Sequence, residues 1–301
     1  TSLKTLATEG NLNNHIGVPL TLLRLKADHQ IAIIEMGASK PGDIAELCAI
    51  AEPTHGLITN VGKAHLEGFG GLDGVIRTKT ELYGWLRGHE GTAFVHGDDP
   101  LLMEKSAGLT RTTYGSKEDM DTCGHAVESE EPCMELVFED KKWQGHYHIS
   151  TKLIGNYNAP NALAAVCIGR HFAVPDEQIA GALTSYVPAN NRSQFKDTGT
   201  NQLVLDAYNA NPTSMAAALE NFARLHSDRK KLVILGDMRE LGPTSLAEHE
   251  AIISLLKTLG LDAVLVGTEF MKAALEPAFK RFATVAEAVE ALKAEKPEGL
   301  L

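Results

Sequence analysis

The run Asn60-Val61-Gly62-Lys63-Ala64-His65-Leu66-Glu67, followed by Lys79 in Ile76-Arg77-Thr78-Lys79-Thr80-Glu81, puts an imidazole, a carboxylate and an amine just beyond an apolar stretch, residues 56–61. Side chains of those kinds, if gathered at one point, suit chemistry on a phosphate, where metal ions meet negative charge and proton carriers assist. Glu35 is a fourth candidate, because it closes the apolar run 31–34 and precedes Met36-Gly37-Ala38. An acid at the end of a buried strand is costly unless a cation meets it. Mg²⁺, which takes a few carboxylate oxygens and fills its shell with water and phosphate, would do so. The plainer alternative for Glu35 is a helix-cap partner or a surface turn. His65 by itself reads as a satisfied structural histidine. Its neighbours Glu67, Gly68, Gly70 and Gly71, glycines that let backbone approach a ligand, make it a ligand candidate. Spacing alone reads Lys79, near Glu81, as a solvated helical lysine.

Two further constellations stand at helix starts. In Gly155-Asn156-Tyr157-Asn158-Ala159-Pro160-Asn161 the amides either cap the helix or present donors and acceptors to an adenine edge. Asp206 ends an apolar run and leads into Ala207-Tyr208-Asn209-Ala210-Asn211-Pro212-Thr213-Ser214-Met215, a small polar cluster before a helix. Exposed amides there could clamp an anion, with capping by Thr213 or Ser214 as the alternative. The segment Leu235-Gly236-Asp237-Met238-Arg239-Glu240-Leu241-Gly242 is expected to aim Asp237 and Arg239 into the same crevice.

The elements that must position these residues alternate. Apolar runs at 31–35, 56–61 and 92–95 are separated by helical patterns at 43–50 and 72–86, as in a parallel sheet flanked by helices, whose ligands sit beyond the carboxyl ends of the strands. From 114 to 153 the period becomes two, which predicts a small antiparallel insertion; His146 and His148 then share a half-exposed face beside Trp143 and Tyr147 and are expected to be structural. Helices are predicted over 158–172 and 176–183. The turn-rich stretch 187–194 marks a boundary, giving domains 1–191 and 192–301. Beyond it, strands at 203–206, 231–235 and 263–266 alternate with helices at 214–225, 245–259, 270–275 and 285–294, a second, Rossmann-like doubly wound α/β domain.

The length of 301 residues suits two domains. With 28 Lys and Arg against 39 Asp and Glu, the net charge of -11 argues against a broad hold on nucleic acid. Four cysteines without CxxC spacing read as reduced thiols of a cytoplasmic protein rather than a zinc site. No apolar run is long enough to cross a bilayer.

Taken together, these motifs resemble the Mur ligases, ATP-dependent amide-forming enzymes of bacterial cell-wall precursor synthesis. Gly10-Asn11-Leu12-Asn13-Asn14-His15-Ile16-Gly17-Val18-Pro19-Leu20-Thr21 looks like the family's segment downstream of its phosphate loop, and the stretches 206–215 and 235–242 are similar to those of the member that joins D-alanyl-D-alanine to a UDP-N-acetylmuramoyl-tripeptide. The resemblance implies a central ATPase-type domain, ATP and Mg²⁺ as cofactors, and catalysis involving Lys79 and His65. It implies Glu35, His65 and a carbamylated Lys79 as metal ligands or supports, Asn158 and Asn161 on the adenine side, Arg192 and Asp206 at ribose and phosphates, and Asn209, Asn211 and Ser214 beside the dipeptide. A monomer is expected, with no membrane insertion. Three departures accompany it: Tyr157 stands where many relatives carry His, the chain contains no Gly-x-x-Gly-Lys-Thr loop, and the family's UDP-binding domain and last strand are not within it. The expectation is therefore a fragment, inactive alone, of such a ligase. The alternatives are a non-catalytic remnant or binding module and a folylpolyglutamate synthase-like ligase.

Overall fold

A computed structural model describes residues 3–63, 65–129, 132–140, 145–188, 192, 194–273 and 278–301. The first unit runs β1 (Thr5–Ala7), α1 (Gly17–Leu22), β2 (Ile31–Ile33), α2 (Asp43–Ala51), β3 (His55–Leu57), α3 (Leu66–Phe69), α4 (Leu72–Lys79), α5 (Glu81–Gly88), β4 (Thr92–His96), α6 (Pro100–Lys105), β5 (Thr110–Gly115), β6 (Thr122–Val127), β7 (Cys133–Asp140), β8 (Gly145–Ile154), α7 (Ala159–His171) and α8 (Asp176–Ser185). The second comprises β9 (Gln194–Asp197), β10 (Gln202–Leu205), α9 (Pro212–Arg224), β11 (Leu232–Gly236), α10 (Ser245–Leu259), β12 (Asp262–Val266), α11 (Thr268–Ala273), β13 (Lys280–Phe282) and α12 (Val285–Glu295).

The main sheet has the order β3-β4-β5-β6-β7-β8, parallel through β6 and antiparallel beyond it. The period-two segment therefore extends this sheet rather than forming a separate one. Its alternation is as expected: Ile149 and Thr151 are buried while His146 and His148 are exposed, His148 pairing with Glu135 at 2.8 Å. Trp143 lies outside the described residues. Parallel strands covered on both faces need continuous apolar runs: Ala93, Phe94 and Val95 of β4 are buried between Tyr83 and Leu86 on one side and Leu163 and Val166 on the other.

β1 and β2 form a separate parallel pair. Between β2 and β3 lies a cleft of about 750 Å³, largely lined by aliphatic side chains such as Leu25, Ile31 and Ile33, with Glu35, Asn60 and Lys79 also on its wall. The expected burial of the 31–35 strand is thus corrected: Ile33 is 56% exposed and Glu35 is exposed, because one strand edge has no partner among the described residues. The single helix expected over 72–86 is two helices, broken at Thr80.

In the second unit β11, β12 and β13 are parallel, and β10 pairs antiparallel with β9. Residues 300 and 301 lie between β10 and β11, with Gln202 N–H donating to Leu300 and Leu232 N–H to Leu301, both at 2.9 Å. One hydrophobic core joins the two units: Leu66, Phe69 and Val75 pack in the same cluster as Met215, Leu219, Phe222, Met238 and Leu241.

Candidate functional site

Glu35 is held from two sides. Its N–H donates to Thr8 Oγ1 and its Oε1 accepts from Asn13 Nδ2, each at 2.9 Å, while Gly37 N–H donates to the Asn13 carbonyl at 2.7 Å. The loop after β1 thereby fixes a carboxylate two residues past the end of β2. Lys79, the last residue of α4, donates from Nζ to the Asn60 carbonyl at 2.9 Å. Glu81 does not pair with it; its carboxylate accepts from Gly42 and Ala45 N–H groups, both at 2.9 Å, and so satisfies the start of α2. With burial unrelieved by a carboxylate among the described contacts, the Lys79 ammonium is pushed below the usual lysine range. Glu35, Asn60 and Lys79 thus share one cleft.

His65 is not part of that lining. Its Nδ1 is bonded to the Glu240 carboxylate of the second unit, across 175 residues of sequence. The same loop makes three more contacts across the interface: Glu67 N–H to the Glu240 carbonyl at 3.2 Å, Lys63 N–H to Thr213 Oγ1 at 3.1 Å, and Lys63 Nζ to Glu248 at 2.6 Å. His65 and Glu240 both have left-handed backbone, φ 53° and 60°. For residues with a Cβ that costs on the order of 1–3 kcal/mol each and persists where surroundings over-determine it. The glycines after His65 also have local structural reasons: Gly68 lies so close to the Ser39 carbonyl that a Cβ would collide with it, and Gly71 has φ 109°.

Asn158 is buried, donating from Nδ2 to the Ile154 carbonyl at 2.8 Å and accepting from Asn161 Nδ2 at 3.3 Å. Its side chain makes no helix cap. Tyr157 Oη lies 3.5 Å from Asp206 Oδ2, and Asn156 N–H 3.4 Å from Asn221 Oδ1, so this segment also touches the second unit. The Arg192 guanidinium stacks 3.8 Å from the centre of the Tyr208 ring. A neighbouring cavity of about 460 Å³ is lined by Asn156, Tyr157, Asn221 and Arg224, but not by Asn158 or Asn161.

Asn211 and Ser214 close a capping box on α9: Ser214 N–H donates to Asn211 Oδ1 at 2.9 Å and Asn211 N–H to Ser214 Oγ at 3.3 Å. Capping is thus real there, with Asn211 as the N-cap. Asn209 Oδ1 accepts from Ala210 N–H at 2.9 Å. Asp237 does not face the crevice as expected. Its carboxylate accepts from Glu269 and Phe270 N–H at 2.9 and 3.0 Å, at the start of α11. Glu240 crosses the interface instead, from the same motif; nothing in the sequence told it apart from Asp237 and Arg239.

Two α/β units of this kind, with Glu35 and Lys79 on one cleft and His65 tied across to the second unit, define a class that the comparisons name. Residues 1–169 match the Mur ligase middle domain and residues 191–301 the Mur ligase glutamate ligase domain, so the chain belongs to the Mur ligase family. Among curated relatives it is similar to the UDP-N-acetylmuramoyl-tripeptide--D-alanyl-D-alanine ligases of Bacillus subtilis (32% identical, covering 94% of this chain and 61% of the relative) and Escherichia coli (34%, 87% and 58%). Among solved structures it is similar to MurF from Acinetobacter baumannii (TM-score 0.87, 31% identical, 99% of this chain and 66% of that one) and to MurF ligase from Thermotoga maritima in complex with ADP (0.84, 25%, 99% and 69%). The chain thus spans about 61% of the Bacillus relative's length.

Proposed function

We propose that the protein takes part in ATP-dependent amide-bond formation, joining D-alanyl-D-alanine to a UDP-N-acetylmuramoyl-tripeptide in the cytoplasm. The observation carrying this reading is that the similarity to relatives bearing that name runs through both units, over 94% of the chain in the Bacillus case. Consistent with a soluble site of action, no described helix is long and apolar enough to cross a membrane.

A carboxylate resists attack by an amine because oxide is a poor leaving group. Transfer of the γ-phosphoryl group of ATP to the tripeptide carboxylate gives an acyl phosphate and ADP. The dipeptide amine then attacks the acyl carbon, phosphate departs with the bonding pair, and the amine nitrogen loses a proton. Among the described residues no group of three or more His, Cys, Asp or Glu could hold a metal ion. A single ordered carboxylate, Glu35, fits Mg²⁺ that completes its shell with nucleotide phosphates and water. When bound, Mg²⁺ would neutralise phosphate charge. Lys79 has two chemistries open to it. As the ammonium it pairs with incoming oxygens; as the free amine, favoured by its lowered pKa, its nitrogen would bond the carbon of CO₂ and give up a proton to water, leaving an anionic carbamate that could help hold Mg²⁺. Asn161, Arg192 and Asp206 are proposed to hold the nucleotide with Asn158 bracing Asn161, and Asn209 to meet the dipeptide beside the α9 cap of Asn211 and Ser214.

The test is phosphate release by the full-length protein with tripeptide substrate, dipeptide and ATP, each omitted in turn. Release that requires all three is expected. Release independent of the dipeptide, or supported by glutamate in its place, would overturn the reading.

A further inference from the structure

We propose that Glu240 is a positioning residue that fixes the tautomer of His65 from the opposite unit. Building on the ligase reading, this assigns His65 the task of presenting its Nε2 lone pair to a cation or a proton from the loop that touches both units, outside the lining of the Glu35 and Lys79 cleft.

An ionised carboxylate only accepts hydrogen bonds, so a neutral imidazole bonded to Glu240 through Nδ1 must carry its proton there. Nε2 is then the unprotonated nitrogen, with no partner among the described contacts. This is the arrangement by which a carboxylate behind an imidazole orients it and raises its basicity toward a cation or a proton on the far side. The ring is further fixed by Phe69, edge-on with centroids 6.4 Å apart.

Glu240 is itself held on a rigid support. The buried His249 accepts from Met238 N–H at 3.1 Å and bonds through Nδ1 to the Ser245 carbonyl at 2.7 Å, which fixes the backbone two residues before Glu240. The Glu240 carbonyl is taken by Glu67 N–H, so the loop carrying His65 is gripped by both backbone and side chain of one residue. Because the side chains of His65 and Glu240 are 37% and 59% exposed, the pair adds little to stability; orientation is what it supplies. The neighbouring Lys63–Glu248 pair spans the same interface without touching His65 and provides a control.

The test uses the full-length protein with ¹⁵N-labelled histidine at about pH 8.5, above the usual imidazole range. Correlation spectra, assigned with His65→Gln, should report an Nδ1–H tautomer in wild type and Glu240→Gln, whose amide oxygen still accepts, and an Nε2–H tautomer in Glu240→Ala. An Nε2–H tautomer in wild type, or no change in Glu240→Ala, would overturn the proposal. In the ligation assay Glu240→Ala should lower kcat roughly 10–100-fold with little change in the dipeptide KM. Glu240→Gln should restore most of the loss and Lys63→Ala should leave kcat near wild type. Equal losses in Glu240→Ala and Lys63→Ala would reduce Glu240 to a tie between units and sink the idea. If the wild type shows no dipeptide-dependent turnover, the ligase reading fails while the tautomer spectra still decide the role of Glu240.

Discussion

At the scale of single residues, Lys79 and His55 show how burial sets charge. Lys79 sits in a pocket that disfavours its ammonium, and replacement by Arg installs a cation that keeps its proton and cannot carry CO₂. Lys79→Arg is expected to lower kcat by roughly 100-fold or more, the scale seen when one charge-stabilising group is removed from an active site. Mass measurement at neutral pH with bicarbonate should find the CO₂ adduct in wild type and none in the variant. His55 lies on the wall of the same cleft, at the start of β3, with Nε2 3.1 Å from His171 Nε2. Burial, reinforced by the neighbouring His171, holds its pKa below the ordinary imidazole value. The unfolded chain takes up this proton near pH 6.5, the folded chain only at lower pH. Stability should therefore fall as pH drops from about 6.5 through the folded value, and stay flat above it. His55→Phe keeps a ring beside Phe94 and removes the titration; its urea midpoint should decline less between about pH 7 and 5 than that of wild type.

At the scale of elements, the α9 capping box separates fold from function. Asn211→Ala should cost about 1 kcal/mol and Asn211→Ser much less, since serine also caps well; denaturant titration reads both. A rise in dipeptide KM in the serine variant would add substrate contact to the capping role. Much of the architecture was legible because period and length agree: α10 spans the predicted 245–259, and β4 and β12 differ from expectation by one residue. Three-residue strands such as β1 and β13 are too short to carry a period. The break at Thr80 carries no Gly or Pro signal. Among candidate site residues, Glu35 was singled out by its place beyond an apolar strand. Spacing alone made Lys79 a solvated helical lysine, and only the family resemblance gave it a role; its burial comes from tertiary packing, which local spacing does not show. The partners of His65 were not legible, because a contact spanning 175 residues leaves no mark in local spacing. Asp237 was misread for the related reason that a carboxylate at a strand end can equally turn to a helix start.

At the scale of the whole molecule, the two units share one core, and Phe69 is 5% exposed within it. Phe69→Ala should cost about 3–5 kcal/mol. The loss should appear as one cooperative transition, with amides of β4 and β12 losing hydrogen-exchange protection together. Independent loss in one unit alone would show that the shared packing does not couple them.

That packing also has a bearing on synthesis. Lys63 emerges from the ribosome 150 residues before Thr213, its partner. At a synthesis rate of about 5–20 residues per second the delay is roughly 8–30 s. Throughout it Leu66 and Phe69 remain wet on a nascent half-molecule, a natural target for chaperone capture.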